Sequence, residues 1–231
     1  MKKLTDEIII DFLTRLFPDD IDGIWADSNA ESFSFNSKNL GSEELWGSVN
    51  GIEYEVQMGA SKICFILEDY DCVIKMPLTG RYDMYWDEEC GEDKFEISEY
   101  IDIDDIGTEV DRYRTASEAL KNFLLPNVFV GIVKDIPVYK QEAVKGTYIK
   151  IMSERVKSKK TLAEEKYEKI ATEYRSNGLG LEFPIPFLSD IIKTHKNPKK
   201  ILQDTQQLVD LHYGNIGYTF SGKAVCFDYA M

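Results

Sequence analysis

Histidine is scarce in this chain. It occurs twice in 231 residues, as His195 and His212, so a multi-histidine metal centre lacks its ligands. The four cysteines, Cys64, Cys72, Cys90 and Cys226, include no CxxC pair. That speaks against a disulfide framework or a thiolate zinc site and points to a reducing, cytoplasmic setting. No apolar run approaches the ~18–20 residues of a membrane span. The apolar patch near the N-terminus stops at Asp11, too short for the core of a secretory leader. Positive charge is also in short supply. Lysine and arginine total 27 against 41 acids, a net charge of −14, which argues against generic nucleic-acid binding. Neither a membrane nor a nucleic acid is expected as a partner.

What remains is ordinary globular material, 43% hydrophobic and 29% charged, enough for one medium domain or two small lobes. The charge is uneven. Residues 1–150 hold 31 acids and 15 bases, whereas residues 151–231 hold 10 acids and 12 bases. Such asymmetry implies two regions with different surfaces.

The hydrophobic periods suggest an order of elements. Thr5–Phe17 reads as a short helix with Thr5 as its cap and Ile8, Ile9, Phe12, Leu13 and Leu16 as its stripe. Residues 19–50 are polar and punctuated, and carry no clear period. Glu53–Met58 reads as a strand; Ile63–Leu67 and Cys72–Met76 read as a hairpin, with Cys64 and Cys72 as candidate neighbours across it. Residues 80–107 contain 11 acids and two bases, interleaved with Tyr82, Tyr85, Trp86, Phe95 and Tyr100; they read as a solvated acidic insertion. Glu109–Phe123 reads as a helix, Asn127–Val133 and Pro137–Ala143 as a second hairpin. Helices are then expected from Lys159 to Asn177, over Leu188–Thr194 and over Lys199–Leu208, and a short hairpin over Gly214–Tyr218 and Ala224–Phe227. The class is α+β with segregated lobes: residues 1–50 a helix and extension, 51–144 an N-lobe carrying the insertion at 80–107, and 145–231 a small helical C-lobe.

The end of the chain carries the chemistry. Asp210-Leu211-His212-Tyr213-Gly214-Asn215 is followed by Val225-Cys226-Phe227-Asp228-Tyr229-Ala230. Phosphoryl transfer is mostly positioning and charge neutralisation. One carboxylate must orient the attacking hydroxyl, and a hard magnesium ion takes an amide oxygen and a second carboxylate. A hairpin between Asn215 and Asp228 would fold both toward one ion.

The run DLHYGN…FDYA resembles the catalytic loop and metal-binding motif of protein-kinase-like enzymes. It is most similar to the aminoglycoside-phosphotransferase-type branch and to small kinase-like proteins of bacteria and their phages. The resemblance implies an ATP- and magnesium-binding two-lobe fold with an antiparallel N-lobe sheet and one helix. It makes Asp210 the catalytic aspartate, and Asn215 and Asp228 the metal ligands. Cys72-Val73-Ile74-Lys75 resembles the strand whose lysine grips the α- and β-phosphates, so Lys75 would take that role and Val73 would roof the adenine. Gly59 lies where the phosphate-covering loop belongs, in a stretch with a single glycine, and Ile63 would pack on the adenine. Glu109 is the chosen partner of Lys75, with Glu96 and Glu99 as alternatives. Glu142 and Val144 would bond the adenine edge through their backbone, at the hinge between lobes.

The sequence departs from the family at several points. Leu208-Val209 stand where many kinases have His-Arg, and Tyr229-Ala230 replace Phe-Gly. The chain stops three residues after Asp228, so a truncated C-lobe without a peptide-docking segment is expected. His212 is expected to hold backbone carbonyls, and His195 to face solvent on a basic helix end. Two functions follow from the resemblance. One is a phosphotransferase with an unknown acceptor. The alternative is a pseudokinase that acts on a protein partner through the acidic aromatic insertion.

Overall fold

The computed structural model describes residues 4–102, 105–155, 161–206, 208 and 211–229. It is mixed α+β, with seven α-helices among the described residues. The chain divides into two compact units, Met1–Gly107 with Asn127–Ala143, and Thr108–Pro126 with Val144–Met231. Among the described residues no helix is long and apolar enough to cross a membrane.

The first unit opens with α1, Asp6–Leu16. Thr5 caps it by accepting the Ile8 N–H, Asp6 and Glu7 occupy the first turn, and Ile9, Phe12 and Leu13 are buried. Residues 19–50 form three short strands, β1 (Trp25–Asp27), β2 (Phe33–Ser34) and β3 (Trp46–Val49). These are held by side-chain bonds to backbone rather than by a long pattern: Asp27 accepts the N–H groups of Glu31 and Ser32, and Asp22 those of Ser37 and the Trp25 indole. Next come β4 (Ile52–Met58), β5 (Lys62–Leu67) and β6 (Cys72–Pro77). The unit closes with β9 (Val128–Val133) and β10 (Ile136–Glu142). The order β3-β4-β5-β6-β10-β9 makes a six-stranded sheet, antiparallel throughout.

The acidic stretch is not a separate insertion. Gly80–Asp87 and Glu92–Tyr100 are two strands, β7 and β8, paired as a hairpin. With β2 and β1 they form a second sheet, ordered β2-β1-β7-β8, in which β1 and β7 run parallel. The unit therefore has two sheets where one was expected. The base of the hairpin belongs to the core. Tyr82 is fully buried and its hydroxyl lies 2.8 Å from Ser32 Oγ. Gly80 is required there, because a β-carbon would come within 2.3 Å of the Glu99 carbonyl.

One aromatic cluster ties α1, the strands of residues 19–50 and the six-stranded sheet together. Phe65 makes edge contacts with Phe12 at 6.4 Å, Phe33 at 6.3 Å and Tyr54 at 5.8 Å between ring centres, and Phe17 and Phe33 both pack on Phe35.

The second unit takes in most of α2 (Asp105–Thr115), then α3 (Glu118–Lys121). The single helix expected over Glu109–Phe123 is broken, because Ser117 is extended and caps a new turn by accepting the Leu120 N–H. Glu109 consequently lies within α2 and not at its start. A short strand and helix follow that have no clear period in the sequence, β11 (Gly146–Thr147) and α4 (Tyr148–Arg155). The expected helices appear as α5 (Leu162–Ser176), α6 (Ile185–Thr194) and α7 (Pro198–Thr205). Helix α5 begins on a reciprocal capping box between Thr161 and Glu164. The closing hairpin is β12 (Ile216–Tyr218) with β13 (Ala224–Cys226), and β11 joins its β12 edge.

His195 is buried, not solvent-facing. Its Nε2 donates to the Ala224 carbonyl at 2.7 Å, and the ring packs edge-on against Phe123. The helix end is basic, but the ring turns inward because β13 offers an acceptor. Burial holds its pKa below the ordinary 6.5.

Two outcomes follow. Phe65→Ala should destabilise the protein by about 3–5 kcal/mol, read as a lower urea midpoint. The unfolded chain protonates His195 near pH 6.5, the native protein only at lower pH, so this residue's contribution is full above 6.5 and is lost as pH falls toward the folded value. The stability difference between wild type and His195→Gln should therefore shrink as pH drops through that window, as measured by urea unfolding at several pH values.

Candidate functional site

The strand period of two sorts the residues of the first unit. On β5, Ile63, Phe65 and Leu67 face the core; on β6, Ile74 and Met76 do so. Lys75 pairs with Cys64 and with Tyr139, and Val73 pairs with Ile66 and Gln141. Val73, Lys75, Cys64, Tyr139 and Gln141 therefore share the opposite face. Lys75 is buried, with 3% of its surface exposed.

This arrangement corrects one assignment. Ile63 pairs with Met76 and belongs to the core, so its side chain is on the wrong face to meet a ligand lying against Val73 and Lys75. Lys62, Cys64 and Ile66 are the β5 residues on the Lys75 side. The same register separates Cys64 from Cys72, which pairs with Leu67 on the core side. Glu142 ends β10 opposite Cys72, and its side chain is exposed. Ala143 then donates its N–H to the Asp71 carbonyl, and the chain passes into the second unit at Val144.

Gly59 opens the turn between β4 and β5. Its N–H donates to the Lys62 carbonyl at 2.8 Å. The Arg81 guanidinium takes the carbonyls of Gly59 at 2.5 Å and Ala60 at 2.9 Å, and also reaches the Asp27 carbonyl. Ser61 Oγ donates to Asp105. The turn is thus clasped from the next sheet by a residue that carries no motif. A β-carbon at Gly59 would meet nothing nearer than 3.8 Å, so the fold itself does not demand glycine there.

In the second unit the β12–β13 hairpin brings the segments of Asn215 and Asp228 into one backbone ladder. Ile216 pairs with Cys226, and the ladder continues one step, with Phe227 N–H donating to the Asn215 carbonyl at 3.0 Å. Asn215, which is buried, thus lies across from Phe227, the residue before Asp228. Asp210 lies outside the described residues, as does Ala230. The alternatives to Glu109, Glu96 and Glu99, lie on β8 in the first unit.

His212 shapes the turn that leads into Asn215. Its Nδ1 accepts the Gly214 N–H at 2.9 Å, and its own carbonyl accepts the Asn215 N–H. Gly214 permits this turn, since a β-carbon would approach the imidazole to 2.7 Å.

The segment around Asp228 is anchored by groups that show little in the sequence. Tyr229 is fully buried; its hydroxyl donates to the Leu125 carbonyl at 2.9 Å and its own carbonyl accepts from Arg112 at 2.7 Å. Cys226 exchanges backbone bonds with Phe123 and Leu125. Burial above all, and then the neighbouring Glu109 carboxylate, push the Tyr229 phenol well above its ordinary range, so it stays a donor. Glu109 is itself wholly buried.

An amide oxygen and a carboxylate suit a hard cation. Magnesium usually takes one or two carboxylates and completes its shell with phosphates and water. Among the described residues no three histidine, cysteine, aspartate or glutamate side chains group as a metal cluster. Tyr229→Phe deletes one buried donor and should lower stability by about 1 kcal/mol, as measured by urea unfolding.

A comparison with family models gives no match, and a comparison with curated proteins gives none either.

Proposed function

We propose that the chain is a kinase-like protein that binds ATP with magnesium and transfers phosphate to an acceptor. The observation that carries this reading is the β12–β13 hairpin, whose ladder continues to bond Asn215 to Phe227, the residue before Asp228 in the DLHYGN…FDYA run. Two further features support it. Lys75 is a buried cation on the same sheet face as Val73. The six-stranded antiparallel sheet that carries Lys75 is also in keeping with the antiparallel N-lobe sheet that the resemblance implies. In this reading Lys75 holds phosphate oxygens, Glu109 is the acid that the resemblance assigns to that lysine, and Asn215 and Asp228 hold magnesium. Asp210 orients the acceptor hydroxyl. Bound magnesium would neutralise the charge that develops on the phosphates.

The second reading is a nucleotide-binding module without transfer. It draws on the β4–β5 turn, where Arg81 already engages the Gly59 and Ala60 carbonyls and only one glycine is present.

Thermal melting tests the binding. At about 100 times Kd, a ligand stabilises by about 2.7 kcal/mol, which for a chain of this size raises Tm by roughly 5–10 °C. ATP with magnesium should give such a rise, Lys75→Met should remove most of it, and Asp228→Asn should remove the magnesium-dependent part. No shift with ATP overturns the reading; an equal shift with and without magnesium in both proteins overturns the metal assignment. Gly59→Ala should leave Tm without ligand unchanged and reduce the ATP-dependent rise. Transfer is tested with labelled ATP, where Asp210→Ala should lower phosphate release by more than about 100-fold. Release that is unaffected would remove Asp210 from the chemistry.

A further inference from the structure

The β7–β8 hairpin extends beyond what the core uses. Its register pairs Met84 with Phe95 and Trp86 with Asp93 on one face, continuing from Tyr82 and Ile97 at the buried base. The other face carries the pairs Asp83–Glu96, Tyr85–Lys94 and Asp87–Glu92. The first face is apolar and open to solvent: Met84 is 62% exposed, Trp86 60% and Phe95 41%. The second is acidic, and its one lysine, Lys94, is engaged with Asp87. Glu88 and Glu89 add charge at the tip. Strand β8 is also an edge of its sheet among the described residues, so one row of its backbone N–H and C=O groups has no neighbouring strand.

We propose that this hairpin is a docking ribbon for an extended, basic segment of another protein, which adds as a strand to the β8 edge. The alternation of the hairpin dictates the alternation of the guest. Apolar residues of the guest would lie with Met84, Trp86 and Phe95. Its lysines or arginines would lie on the face of Asp83, Glu92 and Glu96. Charge decides against a second copy of this chain as the occupant. Each copy carries −14, and pairing two such hairpins would set carboxylates against carboxylates. Charge also favours rapid encounter with a cationic partner, and this attraction weakens with salt. The inference does not depend on nucleotide binding, because every residue it uses lies in the hairpin.

The test uses the full chain and a labelled peptide that alternates lysine with valine over about the length of β8, followed by fluorescence anisotropy. Two control peptides are needed: one of the same composition with its lysines in a block, and one alternating glutamate with valine. The alternating basic peptide should bind, the blocked one about tenfold more weakly, and the acidic one not measurably. Trp86→Ala should weaken binding about tenfold, within the range of a single aromatic anchor, with Tm unchanged because the ring is exposed. Should that variant lose its fold, the double exchange Asp83→Lys with Glu96→Lys, which alters only the exposed acidic face, should weaken binding equally. Equal binding of the alternating and blocked peptides would reduce the effect to bare charge attraction and overturn the proposal. Dimers in sedimentation that Trp86→Ala dissolves would also overturn it, by making a second copy the occupant.

Discussion

The first unit depends on the two-residue period of its β-strands. Consecutive side chains on β5 and β6 point to opposite faces. The residues that build the aromatic core, Ile63, Phe65, Leu67, Ile74 and Met76, therefore leave the alternate positions to a different surface. Lys75 and Val73 are on that surface because their neighbours are needed inside. A slip of one residue would send Lys75 into the aromatic cluster and bring Ile74 out. The burial of Phe65 against Phe12, Phe33 and Tyr54 thus fixes the register on which the candidate phosphate-binding lysine depends, although none of these rings touches a ligand in the proposed reading.

The second unit solves a different problem. Asn215 and Asp228 are separated by a hairpin of three-residue strands, and a two-stranded hairpin is marginal alone. Stability comes from its surroundings. β11 extends it on one side, the segment Phe123–Leu125 bonds along Cys226 on the other, and Tyr229 and Arg112 lock the residues that follow. The tyrosine that replaces phenylalanine in the motif is accommodated because its hydroxyl has an acceptor in the Leu125 carbonyl. His195 serves the same end from α6 through Ala224.

The acidic character of the chain has a definite address. Much of it is concentrated in the distal part of the β7–β8 hairpin, whose base is built into the core through Tyr82 and Gly80. A rigid base with a charged, aromatic-bearing extension differs physically from a solvated loop: it holds its side chains in a fixed alternation, which is what gives a docking surface selectivity beyond net charge.

Much of this was legible in the residues. The α1 stripe, the β5–β6 and β9–β10 hairpins, helices α5 to α7 and the β12–β13 hairpin all follow from local periods and turn chemistry, each acting over a few residues. The shared face of Val73 and Lys75 follows from alternation, and the approach of Asn215 to the segment of Asp228 from the hairpin between them. Other features depend on partners distant in the chain. The strands of residues 19–50 are held by Asp22 and Asp27 rather than by a period. The acidic stretch reads as solvated until β1 is found beside β7. His195 sits in a basic run, and only the Ala224 carbonyl, 29 residues on, turns it inward. Ile63 is apolar on either face, and nothing local says which. Short-range order is written in the period of the side chains. The face each strand presents to the core, and the groups that anchor Asp228, were decided by packing, because burial is a property of the assembled neighbours and not of the segment.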